Sequence, residues 1–143
     1  MKRSMSGTLI RIALSAAWVT AFALTTAVAA RVCTKGDQAC PVVLHMATGA
    51  VSITASGVVS GERPDYYFEF NARAGQTMTI KVVGGNIKTG PGIPITLPNG
   101  KDDAVYEDTP YTLPAAGNYV ILMHANTMSD GPFGRFRMTL TIK

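Results

Sequence analysis

Asp65-Tyr66-Tyr67-Phe68-Glu69-Phe70-Asn71 alternates strictly: Tyr66, Phe68 and Phe70 fall on one side, Tyr67, Glu69 and Asn71 on the other. A strand turns successive side chains to opposite faces, so this run predicts a half-buried β-strand. The same period of two recurs in GQTMTIKVVG, where Met78, Ile80 and Val82 alternate with Thr77, Thr79 and Lys81. It recurs in GRFRMTLTIK, where Phe136, Met138, Leu140 and Ile142 alternate with Arg135, Arg137, Thr139 and Thr141. In GNYVILMH, Tyr119, Ile121 and Met123 oppose Val120, Leu122 and His124. That run is apolar on both sides, which places it in the middle of a sheet. Weaker strands are expected within residues 41–46, 50–59 and 93–97. No stretch of ten residues carries apolar positions at the helical spacing.

Turn residues punctuate these runs. Ser60-Gly61, Ala74-Gly75, Gly84-Gly85-Asn86, Gly90-Pro91-Gly92, Pro98-Asn99-Gly100, Ala116-Gly117-Asn118 and Asp130-Gly131-Pro132 all break the alternation. Many short strands separated in this way predict an all-β fold, a sandwich or a small barrel. Residues 84–112 alternate least and read as loop-rich.

The N-terminal segment differs in kind. Lys2, Arg3 and Arg11 precede an uncharged run, Ile12 to Ala30, that ends in the small residues Ala27-Val28-Ala29. A positive start, an apolar middle and a small-residue end make residues 1–30 a secretory signal peptide, cleaved after Ala29 or Ala30. The alternative is an uncleaved membrane anchor, since the run approaches the roughly 18–20 residues that span a bilayer. Its alanine-rich composition favours cleavage. Residues 31–143 then form a single domain, periplasmic or secreted, with no membrane attachment once the leader is gone.

Cleavage changes the charge. The whole chain has 143 residues and a net charge of +4, but residues 31–143 hold ten Lys and Arg against nine Asp and Glu. A net charge of +1 excludes the broad basic footprint that nucleic-acid binding requires. Export also settles the expected state of Cys33 and Cys40, which pair outside the reducing cytoplasm. Closing that short loop contributes on the order of 2.5 kcal/mol in the chain-entropy description. A metal site built on the same pair would need further ligands, and only His45 and His124 are available as imidazoles.

Catalytic chemistry has little to stand on. No G-x-S-x-G elbow occurs, and His124 closes an apolar run, where a rim histidine is the plainer reading. Asp102-Asp103 and Glu107-Asp108 gather acids locally. Oxygen ligands of this kind suit calcium, but the spacing matches no EF-hand, so a solvated loop is expected. Nothing fixes the two carboxylates of a glycosidase across a cleft. The chain is therefore expected to be a non-enzyme without a cofactor.

The order of motifs resembles a known pattern. It runs through Val58/Ser60/Gly61, Asp65/Tyr67/Glu69 flanked by Phe68 and Phe70, and Ala74/Gly75/Gln76/Met78/Ile80. It continues with Pro98/Asn99/Gly100, Leu113 through Tyr119 with Ile121, and Phe136/Met138/Thr139/Leu140. Over about residues 50–143 this is similar to the bacterial pre-peptidase C-terminal domain, a jelly-roll-like antiparallel β-sandwich. It also resembles the periplasmic inhibitors of g-type lysozyme. Gly90-Pro91-Gly92-Ile93 and the Tyr111–Pro114 stretch are similar to the inhibitor family. The resemblance implies a lysozyme as protein partner, blocked by loops that enter its glycan cleft. The alternative is a stand-alone envelope module that binds glycan or peptide. The candidate target-binding residues are Tyr67, His124, Asn126, Thr127 and Arg135, grouped around the segment HANTMSDGPFGR, residues 124–135. By alternation only one of Tyr66 and Tyr67 can face outward.

Overall fold

The computed structural model describes residues 33–143. The leader, residues 1–30, lies outside the described residues in both its readings. Nine strands follow one another: β1 (Val42–Leu44), β2 (Ser52–Val59), β3 (Asp65–Ala72), β4 (Thr77–Gly84), β5 (Ile93–Thr96), β6 (Asp102–Val105), β7 (Tyr111–Thr112), β8 (Gly117–His124) and β9 (Gly134–Ile142). They form a five-stranded sheet, β1-β3-β8-β5-β6, and a four-stranded sheet, β2-β9-β4-β7. Every connection except the β5–β6 hairpin crosses from one sheet to the other. Strands β2 to β9 thereby trace the two interleaved Greek keys of a jelly roll. The apolar run at residues 117–124 becomes the middle strand of the larger sheet, as its two apolar faces require.

β1 departs from the antiparallel rule. It pairs with β3 in parallel, Val42 opposite Phe68 and Leu44 opposite Phe70. The cause lies in the preceding loop. Tyr67 donates its backbone N–H to Gly36 at 2.8 Å, so the chain is already docked along β3 before β1 begins. The Cys33–Cys40 disulfide closes the loop that carries Gly36, and the Gly36 N–H donates to the Cys40 carbonyl at 2.8 Å across it.

The inner faces meet in one aromatic cluster. Tyr66 and Phe68 from β3 and Phe136 from β9 have ring centroids 5.2 to 6.0 Å apart, and Phe136 meets both of the others edge to face. Such pairs add to the roughly 1.5–3 kcal/mol that burying each large side chain contributes. Gly57 lies opposite Phe136 in the β2–β9 ladder, and a Cβ there would stand 2.6 Å from the Phe136 ring. The missing side chain is what lets the ring lie flat across the strand. Tyr66 is thus the core-facing member of the tyrosine pair and Tyr67 the outward one.

Tyr119 holds the turn that leads into β8. Its ring stacks on Phe70 at 5.3 Å and is fully buried. Its hydroxyl donates to the Ala115 carbonyl at 2.5 Å and accepts from the Ala115 N–H at 3.2 Å. This is a tyrosine corner: the phenol replaces the strand partners that a tight turn cannot supply.

Residues 84–112 hold more strand than a loop-rich segment: besides the strand expected within 93–97, which is β5, they contain β6 and β7. The β5–β6 hairpin turns through Pro98-Asn99-Gly100, where Asn99 Oδ1 accepts the Lys101 N–H at 3.0 Å and Gly100 takes a φ of 79°. Only Val105 of β6 is buried, so no alternation marks the strand. Its charges suit the sheet edge it occupies. Pro94 has no N–H to give, and the β5–β8 ladder starts one residue later, at Ile95.

The acids of this region lie in contact with solvent, as a solvated segment would have them, and three of them also carry hydrogen bonds of the fold. Asp102 accepts from Thr96 Oγ1 at 2.8 Å, and Asp103 accepts from the Tyr111 hydroxyl at 2.7 Å, which ties the two sheets at their rim. Glu107 Oε1 accepts the Val82 N–H, and Asp108 donates its N–H to the Ile80 carbonyl, both at 2.8 Å. β7 pairs with β4 only at Thr77 and Met78, so residues 107–108 continue the edge where β7 does not reach. The carboxylates of Asp102, Asp103 and Glu107 thus each accept from their own donor, and no group of three His, Cys, Asp or Glu converges on a metal position among the described residues.

Two outcomes follow from these contacts. Tyr119→Phe leaves both Ala115 backbone groups without their partner, and urea unfolding should show a loss of about 1–3 kcal/mol. Burial, then the hydrogen bond to Asp103 and the charge of that carboxylate, push Tyr111 up from 10.0 to about 12. A raised phenol pKa stabilises the fold below pH 10.0 and loses that contribution as pH climbs toward about 12. Thermal melts over this alkaline window should fall less steeply for Tyr111→Phe than for the parent.

Candidate functional site

The segment linking β8 to β9 carries Asn126 and Thr127, with His124 at its entry and Arg135 just past its exit. His124 is the last residue of β8, directly opposite Asp65 on β3. Its Nδ1 lies 2.5 Å from Asp65 Oδ1, with both side chains partly exposed, so the carboxylate fixes the ring's orientation. Tyr67 shares this outer sheet face and lies opposite Leu122. Partial burial, then the Asp65 charge, raise the Tyr67 phenol above its usual value, which keeps it a neutral hydrogen-bonding group.

Beyond His124 the chain leaves the sheet as a pinned loop. Ala125 is fully buried and bridges to Ile87, and the Lys88 N–H donates to the His124 carbonyl at 2.7 Å. Asn126 donates its N–H to the Asn86 carbonyl at 2.8 Å. Asn86 in turn reaches back with its side-chain amide to the carbonyls of Asn126 (3.1 Å) and Gly131 (3.4 Å). It clamps both legs of the loop. Asn86 has a φ of 48°, a conformation that asparagine tolerates better than most side chains. The Gly84-Gly85-Asn86 turn was its only trace in the sequence. Between the clamped legs Met128 is 94% exposed, and just past them Phe133 is 37% exposed. An apolar tip held out on a fixed stem is suited to burial against another macromolecule.

Arg135 is placed on the other sheet. It opens β9 and projects from the four-stranded sheet, opposite Val58. All five residues thus lie at the end of the sandwich where β8 leaves and β9 enters, but Tyr67, His124, Asn126 and Thr127 group by the loop and the five-stranded sheet, while Arg135, on the four-stranded sheet, lines a cleft with Lys35 and Arg63. Neither Lys35 nor Arg63 stands out in the sequence, because the contacts that assemble them join segments 28 residues apart.

Charge is sorted between the sheets. The strands of the five-stranded sheet carry Asp65, Glu69, Asp102 and Asp103 and no Lys or Arg. Those of the four-stranded sheet carry Lys81, Arg135 and Arg137 and no acid. A net charge near zero conceals two faces of opposite sign.

Asn86→Ala removes the clamp but leaves the backbone bond between Asn86 and Asn126. Amide hydrogen exchange should speed up within residues 126–132 by about tenfold while the β8 and β9 cores keep their protection.

No family model and no curated protein matches the sequence. Solved structures do match. Salmonella Typhimurium PliG, a periplasmic lysozyme inhibitor of g-type lysozyme, superposes with a TM-score of 0.58 at 20% identity, over 72% of this chain and 97% of that one. The Escherichia coli PliG mutant gives 0.56 at 23% identity, over 72% and 97%. Aeromonas hydrophila PliG gives 0.52 at 22% identity, over 72% and 96%. At these identities the likeness is one of fold: the chain has the same sandwich as three inhibitors of g-type lysozyme, across almost the whole of each.

Proposed function

We propose that this protein is an exported inhibitor of g-type lysozyme, working in the periplasm or outside the cell. It acts by occlusion and performs no chemistry of its own. The observation that carries this reading is the shared fold, which extends over nearly the entire length of three periplasmic inhibitors. The motif order in residues 50–143 and the leader-like N-terminus support it from the sequence side.

The pinned β8–β9 loop is the element we assign to the target. Met128 and Phe133 supply apolar area that gains by leaving water, and Asn126 and Thr127 present short polar groups beside them. Such groups can take the places that sugar hydroxyls and amides occupy in a glycan cleft. His124 and Tyr67 flank the loop on the outer sheet face and would meet the rim of that cleft. A loop ordered in advance loses little freedom on binding, so more of its contact energy appears as affinity. Arg135, on the other sheet, is a peripheral contact in this arrangement.

A panel of g-type, c-type and invertebrate-type lysozymes tests the proposal. Purified protein should suppress the muramidase activity of a g-type enzyme in a saturable, one-to-one manner. Met128→Asp should weaken that inhibition by at least about tenfold without moving the melting temperature, since the side chain touches nothing in the fold. Unchanged activity across the whole panel would overturn the reading.

A further inference from the structure

A concave site lies at the same end of the sandwich as the loop, on the β2–β9 side of the four-stranded sheet. Its volume is about 290 Å³, and Lys35, Ser56, Gly57, Val58, Arg63, Tyr66 and Arg135 line it. Three of these side chains are cationic and none is acidic. They come from three separate segments: the disulfide loop, the turn before β3, and the start of β9.

The cations are gathered by construction. Arg63 Nη2 donates to the Lys35 carbonyl at 2.8 Å and to Asp37 Oδ1 at 2.7 Å, which binds the disulfide loop to the sandwich. The Arg63 guanidinium stands 5.6 Å from the centre of the Tyr66 ring. Gly36 fits against the same ring, where a Cβ would come within 2.6 Å. The loop therefore cannot shift without unseating Tyr66, and Lys35 stays beside Arg63. Arg135 is exposed and faces the cleft from the opposite wall.

Two features point to a ligand. Asp37 compensates one of the three cations, so two positive charges remain uncompensated in a concave space. A cleft focuses such a field more strongly than a flat surface does. Arg63 Nε is also the one buried side-chain nitrogen or oxygen without a hydrogen-bond partner among the described residues. A donor left in that condition is unfavourable, and a small shift of the guanidinium toward an anion with several acceptor oxygens would relieve it.

We propose that this cleft binds a phosphate monoester group. Such a group carries about −1.5 to −2 charge at neutral pH, which matches the uncompensated charge, and its oxygens suit two guanidinium forks and one ammonium. The Ser56 hydroxyl adds a neutral donor. The cleft adjoins a second hollow of about 390 Å³ through Ser56 and Arg135, which leaves room for the rest of the ester. The phosphate could be presented by a soluble ester or by a lipid headgroup.

Calorimetry at low salt tests the site, with inorganic phosphate, glycerol phosphate and phosphatidylcholine vesicles containing phosphatidic acid as probes. Acetate serves as the singly charged control. At least one phosphate probe should bind saturably at one site and more tightly than acetate. Lys35→Ala and Arg135→Ala should each weaken it about tenfold, the loss expected for one charge-assisted contact. Both side chains are exposed, so melting temperatures should hold, and Arg135→Gln replaces Arg135→Ala if the latter fails to fold. Binding of glycerol phosphate assigns the site to soluble esters; binding of vesicles alone assigns it to headgroups, and either supports the proposal if the variants weaken it. No binding of any phosphate probe, or binding that both variants leave unchanged, would overturn it.

Discussion

The fold depends on how Phe136 crosses the sandwich. β9 is the centre of its sheet, and the Phe136 ring reaches inward to Tyr66 and Phe68 of the facing sheet. That reach requires Gly57, because any side chain at this position in the neighbouring strand would occupy the ring's place. Tyr66 is then covered from its other side by Gly36 and Arg63. One chain of contacts thus joins the four-stranded sheet, the five-stranded sheet and the disulfide loop. The cationic cleft sits directly over it, so its rigidity comes from the core below.

Strands with a strict alternation were legible in the sequence because burial alone specifies them. β3, β4, β8 and β9 keep one apolar face from end to end, and the solvent side of each is polar or mixed. β6 and β7 were not legible, since their partners rather than their own side chains make them strands. Asp102 and Asp103 look like loop residues until the hairpin pairs them with Thr96 and Ile95. Glu107 was misleading for a related reason: a carboxylate took over a backbone carbonyl's work at the edge of β4. The parallel entry of β1 likewise depends on one backbone contact, from Tyr67 to Gly36, that no local pattern encodes.

The site divides in the same manner. The β8–β9 loop shows itself by length, glycine and proline content, and an apolar residue stranded among polar ones. Asn86, which holds it, lies 40 residues away, and only its position in a Gly-Gly-Asn turn hinted at an unusual backbone. Arg135 was grouped with the loop because it follows it in sequence. In space the chain has already crossed to the other sheet by then, and the charge joins Lys35 and Arg63. Proximity along the chain does not tell which sheet a residue joins when a connection passes from one layer to another, as nearly every connection does here.

The order of strands also governs when the domain can exist. In the four-stranded sheet β2 and β4 never pair; each pairs with β9, the last of the nine described strands. The first of these ladders joins Ser52 to Thr141, so almost the whole domain must be present before it closes. A chain still emerging from a ribosome or a membrane pore therefore has two strands waiting with unmatched edges. It remains unfolded, and fit to be threaded, until residues 134–142 arrive.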